Sequence, residues 1–329
     1  LAVGAAMWAV FYLGRAVGHG GSGTAAAALE LVGMCWLAAL FLTAVALLAV
    51  DVATGFGWLL PRYAPALRGW ALAAGGVLTV VALFQGLRPP VVREYEVRLP
   101  GLPAEADGIT VVALSDLHIG SLIGADWLAA RVEQVEALQP DLIVLLGDLF
   151  EGHGEPLGAA QAALGRLGAP LGVWAVPGNH EGYGARGGAD RTAEEGIEVL
   201  RNRWVEVRPG LTLAGVEDLT SRRRGGRGGE PIAAALEGHP LGAVTLLSHS
   251  PLEAEEAVRA GVGLMLSGHT HGGQIWPLGY LIQRHYPLLA GEYRVGGMTV
   301  LVTRGAGTWG PRMRLWHPGE ILRVTLRRG

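Results

Sequence analysis

Residues 110–118 read Thr-Val-Val-Ala-Leu-Ser-Asp-Leu-His, an apolar run that passes directly into Ser115-Asp116-Leu117-His118. A short apolar run that ends in polar residues reads as a buried strand, and the same design recurs four more times. Residues 142–146 lead into Gly147-Asp148, and 173–176 into Gly178-Asn179-His180-Glu181. Residues 243–247 lead into Ser248-His249-Ser250-Pro251, and 263–266 into Gly268-His269-Thr270-His271-Gly272-Gly273-Gln274. Helix-like apolar spacing at 127–138 and 252–258 lies between these runs, so the alternation predicts an α/β plan. Strand-like segments at 298–303 and 321–326 follow without clear helices between them; they predict a two-sheet core closed by antiparallel strands. In open α/β sheets, ligands gather beyond the carboxyl ends of the strands. The five polar clusters are therefore expected to converge.

Their composition points to metal. Asp116 and His118 stand two apart, a spacing that turns both side chains to one side of an extended strand end. His269 and His271 repeat it. Two chelating pairs predict two ions. Carboxylate and imidazole donors suit Mn, Fe or Zn, with Mn favoured, while Cys35 as the single cysteine excludes a Zn-thiolate site. Asp148, with two oxygens, is the expected bridge between ions ~3.5–4 Å apart, a clamp that orients a phosphoryl group and acidifies water. A lone Gly-Asp is ordinarily a turn, and a lone His a satisfied polar residue. Neither reading accounts for five such clusters, each at the end of an apolar run.

In order and spacing, Asp116-x-His118, Gly147-Asp148, Gly178-Asn179-His180-Glu181, His249 and Gly268-His269-Thr270-His271 resemble the calcineurin-like metallophosphoesterase superfamily, across about residues 109–275. The Gly-Gly-Gln after His271 resembles its bacterial membrane-anchored branch. The resemblance implies a four-layer αββα sandwich. It implies that Asp116, His118, Asp148 and His271 hold one metal, and that Asp148, Asn179, His249 and His269 hold the other. His180 would then be free of metal and near the leaving group, where it donates a proton or stabilises charge; His180 and Asp148 are the implied catalytic residues. No motif position departs from the pattern, so an intact site is expected.

The first 88 residues have a different texture. Half of the chain's residues are hydrophobic, and mean hydropathy is +0.33, high for a purely soluble protein. Residues 27–50 carry Glu30 as their only charged side chain, and at ~1.5 Å per residue they cover the ~30 Å hydrocarbon core. Residues 70–87 lie between Arg68 and Arg88, with Trp70 at an interface position. Residues 1–14 form a shorter third run. About three transmembrane helices are expected, with an anchor at 1–88, a linker at 89–108 and a catalytic domain at 109–329. Arg15, Arg88 and Arg93 on one side, against Arg62 and Arg68 on the other, lean toward a cytoplasmic catalytic domain on a multi-pass protein of the bacterial inner membrane.

A net charge of −3 and a pI near 6.4 supply no basic face for nucleic acid. Every basic residue is Arg, with no Lys, which reads as coding bias. The Gly/Arg stretch 221–229 reads as a solvated loop, although it could meet phosphates or anionic headgroups. His153, five residues after Asp148, is close enough to line the cleft but has no counterpart in the family's pattern. Trp276, Tyr280, Trp309 and Trp316 could line it as an apolar rim, although each taken singly reads as an ordinary core or interface aromatic. The leading expectation is a membrane-anchored phosphohydrolase acting on a phosphorylated lipid or a lipid intermediate, such as the UDP-diacylglucosamine cleaved by one class of the family. The alternatives are a phosphodiesterase of soluble substrates and a non-catalytic membrane sensor on the same fold.

Overall fold

The computed structural model describes residues 2–18, 23–151, 158–182, 196–226 and 229–329. Three helices come first: α1 (Ala2–Gly18), α2 (Thr24–Ala53) and α3 (Ala64–Leu87). Then follow β1 (Val91–Leu99), β2 (Thr110–Leu114), α4 (Ala125–Glu136), β3 (Leu142–Leu145), α5 (Gly158–Leu164), β4 (Val173–Ala175), β5 (Glu198–Val199), β6 (Arg203–Arg208) and β7 (Leu211–Gly215). The remaining strands are β8 (Ala243–Leu247), β9 (Leu264–Ser267), β10 (Gly291–Val295), β11 (Met298–Val302) and β12 (Glu320–Arg328), with short helices at Leu219–Arg224, Pro231–Ala235 and Ala254–Arg259.

The strands form two six-stranded sheets, ordered β1-β12-β2-β3-β4-β5 and β10-β11-β9-β8-β7-β6. Strands β2 to β5 run parallel, as do β7, β8, β9 and β11; the antiparallel pairs are β12 with β2, β6 with β7 and β10 with β11. Alternation along each strand builds the layers. From β2, Val111 and Ala113 face the core shared with Leu247, Leu264 and Leu301 of the other sheet. Val112 and Leu114 face the opposite way, onto Leu128 and Val132 of α4 and Leu164 of α5. From β8, Val244 and Leu246 pack outward on Ala257 and Ile232. The result is the expected α/β/β/α sandwich, in which strands buried on both faces read as continuous apolar runs.

Residues 89–108, expected as a linker, contain β1, which pairs in parallel with β12 along nine residues. Its exposed, charged alternation, Arg93-Glu94-Tyr95-Glu96, hides it from a search for apolar runs, because an edge strand keeps one face in water.

Two of the first three helices, α2 and α3, are long and apolar enough to cross a membrane, by length and composition. Most of their surface is bare of protein: Val52, Trp70, Val77 and Val80 are exposed. The described part of α1 has 17 residues, about 26 Å at 1.5 Å each. Arg15 joins it to Glu30 of α2 at 3.3 Å, and Glu30 also accepts from Ser121, in the loop after His118. An Arg68–Asp51 hydrogen bond of 2.8 Å closes the turn between α2 and α3. One side of this hairpin packs on the sandwich: Ala38, Leu42 and Ala82 bury Ile275, Met313 and Leu315.

Candidate metal centre

All seven expected ligands arise where strands end: Asp116 and His118 after β2, Asp148 after β3, Asn179 after β4, His249 after β8, and His269 and His271 after β9. All but His269 are buried. Of the eleven non-glycine residues with left-handed backbone among those described, five are Asp116, His118, Asp148, His269 and His271. Each such residue costs roughly 1–3 kcal/mol, so the concentration of strain at one place marks a site for which the rest of the fold compensates. Two glycines permit the close approach. A Cβ on Gly178 would run into the Asp148 carboxylate, and one on Gly268 into Ser115 and Asp116.

The ligand atoms fall into two groups, Asp116/His118/His271 and Asp148/His249/His269, each with its atoms within 4.8 Å of one another. His271 Nε2 lies 3.3 Å from Asp116 Oδ1 and 3.2 Å from His118 Nε2. His249 Nε2 lies 3.1 Å from Asp148 Oδ2, 3.3 Å from Asn179 Oδ1 and 3.1 Å from His269 Nδ1. Ligands bound at ~2.0–2.1 Å around one tetrahedral or octahedral ion stand about 2.9–3.4 Å apart, so these spacings suit a common vertex. Asp148 joins the groups: its Oδ2 is also 3.9 Å from His118 Nε2. Asp116 Oδ1 is buried with no hydrogen-bond partner, which an anionic oxygen tolerates when a cation completes its surroundings. Donor set, spacing and orphaned oxygen all fit two divalent ions.

Electrostatics agree with a centre that attracts positive charge. Burial raises the Asp116 pKa, but His271, His249 and His118 pull it well below the usual carboxylate range. Asp148 is likewise raised by burial and lowered further by His249 and His118. Burial alone would lower His249, yet Asp148 and Asp116 hold its imidazole well above the ordinary histidine value. His269 is pushed down to about 4 by burial and by the charge of His249, and His271 is lowered by burial. Those two rings stay neutral, the form that binds metal.

Three supporting residues were absent from the expected set. Glu151, three positions after Asp148, accepts from His118 Nδ1 at 2.7 Å and lies 3.1 Å from His180 Nδ1. Glu181 is buried and accepts the backbone N–H groups of Asp148, Leu149 and Gly178 at 2.7–2.9 Å, clamping the β3 and β4 loops together. Tyr286 Oη lies 2.8 Å from His269 Nε2 and continues through Thr220 and Ser250 to Asp218. Glu181 stood in a quoted motif, and Glu151 close to one. Tyr286 carried no local signal.

His180 lies at the mouth, its Nε2 4.0 Å from Asp148 Oδ2. Burial lowers its pKa, but Glu151 and Asp148 more than offset this and raise it. Trp309 stands beside it, ring centroids 6.4 Å apart, and is 56% exposed. Trp276 and Trp316 meet with ring centroids 5.2 Å apart and their planes tilted by 58°. His153 lies outside the described residues, as do positions 227 and 228 of the Gly/Arg stretch, whose first part is the helix Leu219–Arg224.

Residues 109–273 match the calcineurin-like phosphoesterase family. A zebrafish transmembrane protein with metallophosphoesterase domain is 37% identical over 271 residues, covering 78% of this chain and 62% of that one. Its bovine counterpart is 35% identical, covering 76% and 60%. The chain thus spans about three fifths of the length of these two relatives. An uncharacterised metallophosphoesterase of Aquifex aeolicus is 34% identical, covering 72% of this chain and 91% of its own.

Proposed function

This chain belongs to the calcineurin-like phosphoesterase family, and from that premise we propose that it is a membrane-anchored, dinuclear metal-dependent phosphohydrolase whose substrate is a phosphorylated lipid or lipid intermediate. The observation that carries the reading is the pair of ligand groups joined through Asp148, set beside a hairpin of apolar helices that packs on the loop following His271. Asp116, His118, Asp148 and His271 would hold one divalent ion, and Asp148, Asn179, His249 and His269 a second. Mn is the favoured ion, because the donors are carboxylate, amide and imidazole with no thiolate. Bound there, two ions supply positive charge to the phosphoryl oxygens and acidity to water.

The protein's own groups do the rest. Glu151 takes the Nδ1 proton of His180 as a hydrogen bond, so Nε2 faces the open mouth. A protonated His180 donates from Nε2 to the departing oxygen as the P–O bond breaks. Glu181 keeps the loops of Asp148 and Asn179 at a fixed separation, and a centre this strained needs that support. The lipid reading rests on the anchor: an active site tethered to the bilayer meets lipid at high effective concentration. The Arg balance around α2 and α3 favours a cytoplasmic catalytic domain in a bacterial inner membrane.

The test uses the full chain in lipid nanodiscs, loaded with Mn. Two ions per chain and faster hydrolysis of phosphorylated lipids than of soluble phosphodiesters and nucleotides are the expected results. Hydrolysis of soluble esters alone would keep the phosphohydrolase and remove the lipid. Failure to bind metal would overturn the enzyme reading in favour of a sensor.

A further inference from the structure

The α2–α3 hairpin does not hold the sandwich at arm's length. Arg68 lies near the start of α3 and Arg88 at its C-cap, and the twenty steps from one to the other, at about 1.5 Å each, span about 30 Å, one hydrocarbon thickness. Along that length the sandwich makes contact well inside Arg88. Arg314 donates its backbone N–H to the Ala82 carbonyl at 2.9 Å, six positions or about 9 Å down the helix. Trp316 N–H is held by Gln85 Oε1 at 2.7 Å, and a Cβ on Gly86 would meet the backbone of Arg312 and Met313. On α2, the packed residues Ala38 and Leu42 lie about 12–18 Å beyond Glu30. A hairpin that crosses a bilayer therefore carries the loop 309–316 and the segment 275–282 below the level of Arg88.

The side chains of those segments suit that depth. Tyr280, Leu281, Trp309 and Trp316 are 68%, 58%, 56% and 53% exposed, on segments that pack against α2 and α3 through Ile275, Leu278, Met313 and Leu315. Tyr and Trp favour the membrane interface, where the ring is in apolar surroundings and its polar atom in wet ones. Arg284 and His285, both exposed, follow immediately, placed for their polar ends to reach the headgroups. The same loop is locked to the metal centre. The buried Arg314 guanidinium donates to the carbonyls of Arg304, Gly305 and Gly307 at 2.6–3.2 Å, and Gly307 N–H donates to the Asp116 carbonyl at 3.0 Å.

We propose that residues 275–282 and 309–316 form a lip that inserts into the leaflet beside the sandwich and sets the metal cleft at headgroup height. The occupant of this apolar surface is the bilayer itself, because the surface continues that of the two helices. A lipid's phosphoryl group then reaches His180 without leaving its leaflet. The proposal rests on the reading of α2 and α3 as membrane spans, and its test separates the two.

In the full chain with Cys35→Ala, a nitroxide is attached at Val77→Cys, Tyr280→Cys, Leu281→Cys or Leu241→Cys, and its collisions with oxygen and with a water-soluble nickel chelate are measured in nanodiscs. Val77 is 63% exposed on α3; Leu241, 97% exposed, precedes β8, at the strand end opposite His249. Expected is strong oxygen and weak nickel accessibility at 77, intermediate depth at 280 and 281, and full nickel accessibility at 241. Positions 280 and 281 as aqueous as 241, with 77 in lipid, would overturn the lip and leave the anchor standing. An aqueous 77 would remove the anchor and the lip together.

Discussion

The two ligand groups are built from the same residue types but are supported differently. In the first, His118 is oriented by a carboxylate, Glu151, at 2.7 Å. In the second, His249 Nδ1 donates to the Leu146 carbonyl at 2.7 Å, and His269 Nε2 meets the Tyr286 hydroxyl at 2.8 Å. One group has charged support and the other neutral support. A carboxylate partner makes an imidazole more basic than a neutral one does, so two chemically similar pockets should differ in metal affinity. Glu151 contacts the rings of both His118 and His180, which couples the first group to His180 through a carboxylate outside the expected ligand set. The difference suggests a division of labour in which one ion is coupled to the proton donor and the other to the fixed frame.

The largest test of this comparison removes what the groups share. Asp148→Asn deletes the bridging charge, and turnover should fall by on the order of a thousandfold or more, with metal content dropping below two per chain by elemental analysis. If both ions and full turnover survive, the two groups do not form one centre. His180→Ala should keep both ions and slow turnover by about a hundredfold to ten-thousandfold, read as kcat falling at unchanged metal content.

Glu151→Gln should act on one side only. Metal affinity of the first group should weaken about 10–100-fold, measured by competitive titration with a chelator. The same variant should move the pH profile. His180 acts while protonated, so activity persists below its pKa and is lost as pH rises through it. Glu151 and Asp148 raise that pKa above 6.5, which puts the alkaline limb of kcat/KM above pH 6.5, and loss of the Glu151 charge should shift the limb toward acid. An unmoved limb would uncouple His180 from the first group. The smallest effect belongs to Tyr286→Phe, which should weaken the second group about tenfold and spare the first. Equal weakening of both would erase the proposed asymmetry.

The sequence made the centre of the fold legible because chemistry and topology coincide there. Runs of residues buried on both faces, such as Thr110–Leu114 and Ala243–Leu247, have no polar alternation to confuse them, and each ends in a ligand. The periphery was less legible. β1 and β6 alternate exposed charge with half-buried positions, a pattern shared by loops. Tyr286 reaches the centre only because the chain after Gln274 turns back over His269. The contact of Arg314 with Ala82 joins positions 232 apart, as 314 − 82 gives, and no local signal announces that a carbonyl inside α3 accepts from so distant a residue.

The place of β12 in its sheet has a consequence for biosynthesis. Strand β1 leaves the hairpin early, yet it is joined to the rest of its sheet only through β12, which lies between it and β2; Glu94 meets Arg323 across 229 positions. While the ribosome is still making the intervening residues, the growing chain has β1 but not the strand that joins it to β2. β2 meanwhile offers an unpaired edge, the kind of surface that mispairs in slow, non-local sheets. A nascent chain therefore remains loosely joined until β12 slides into the gap, and a stop codon before residue 320 should yield an unassembled protein, a substrate for quality-control proteases.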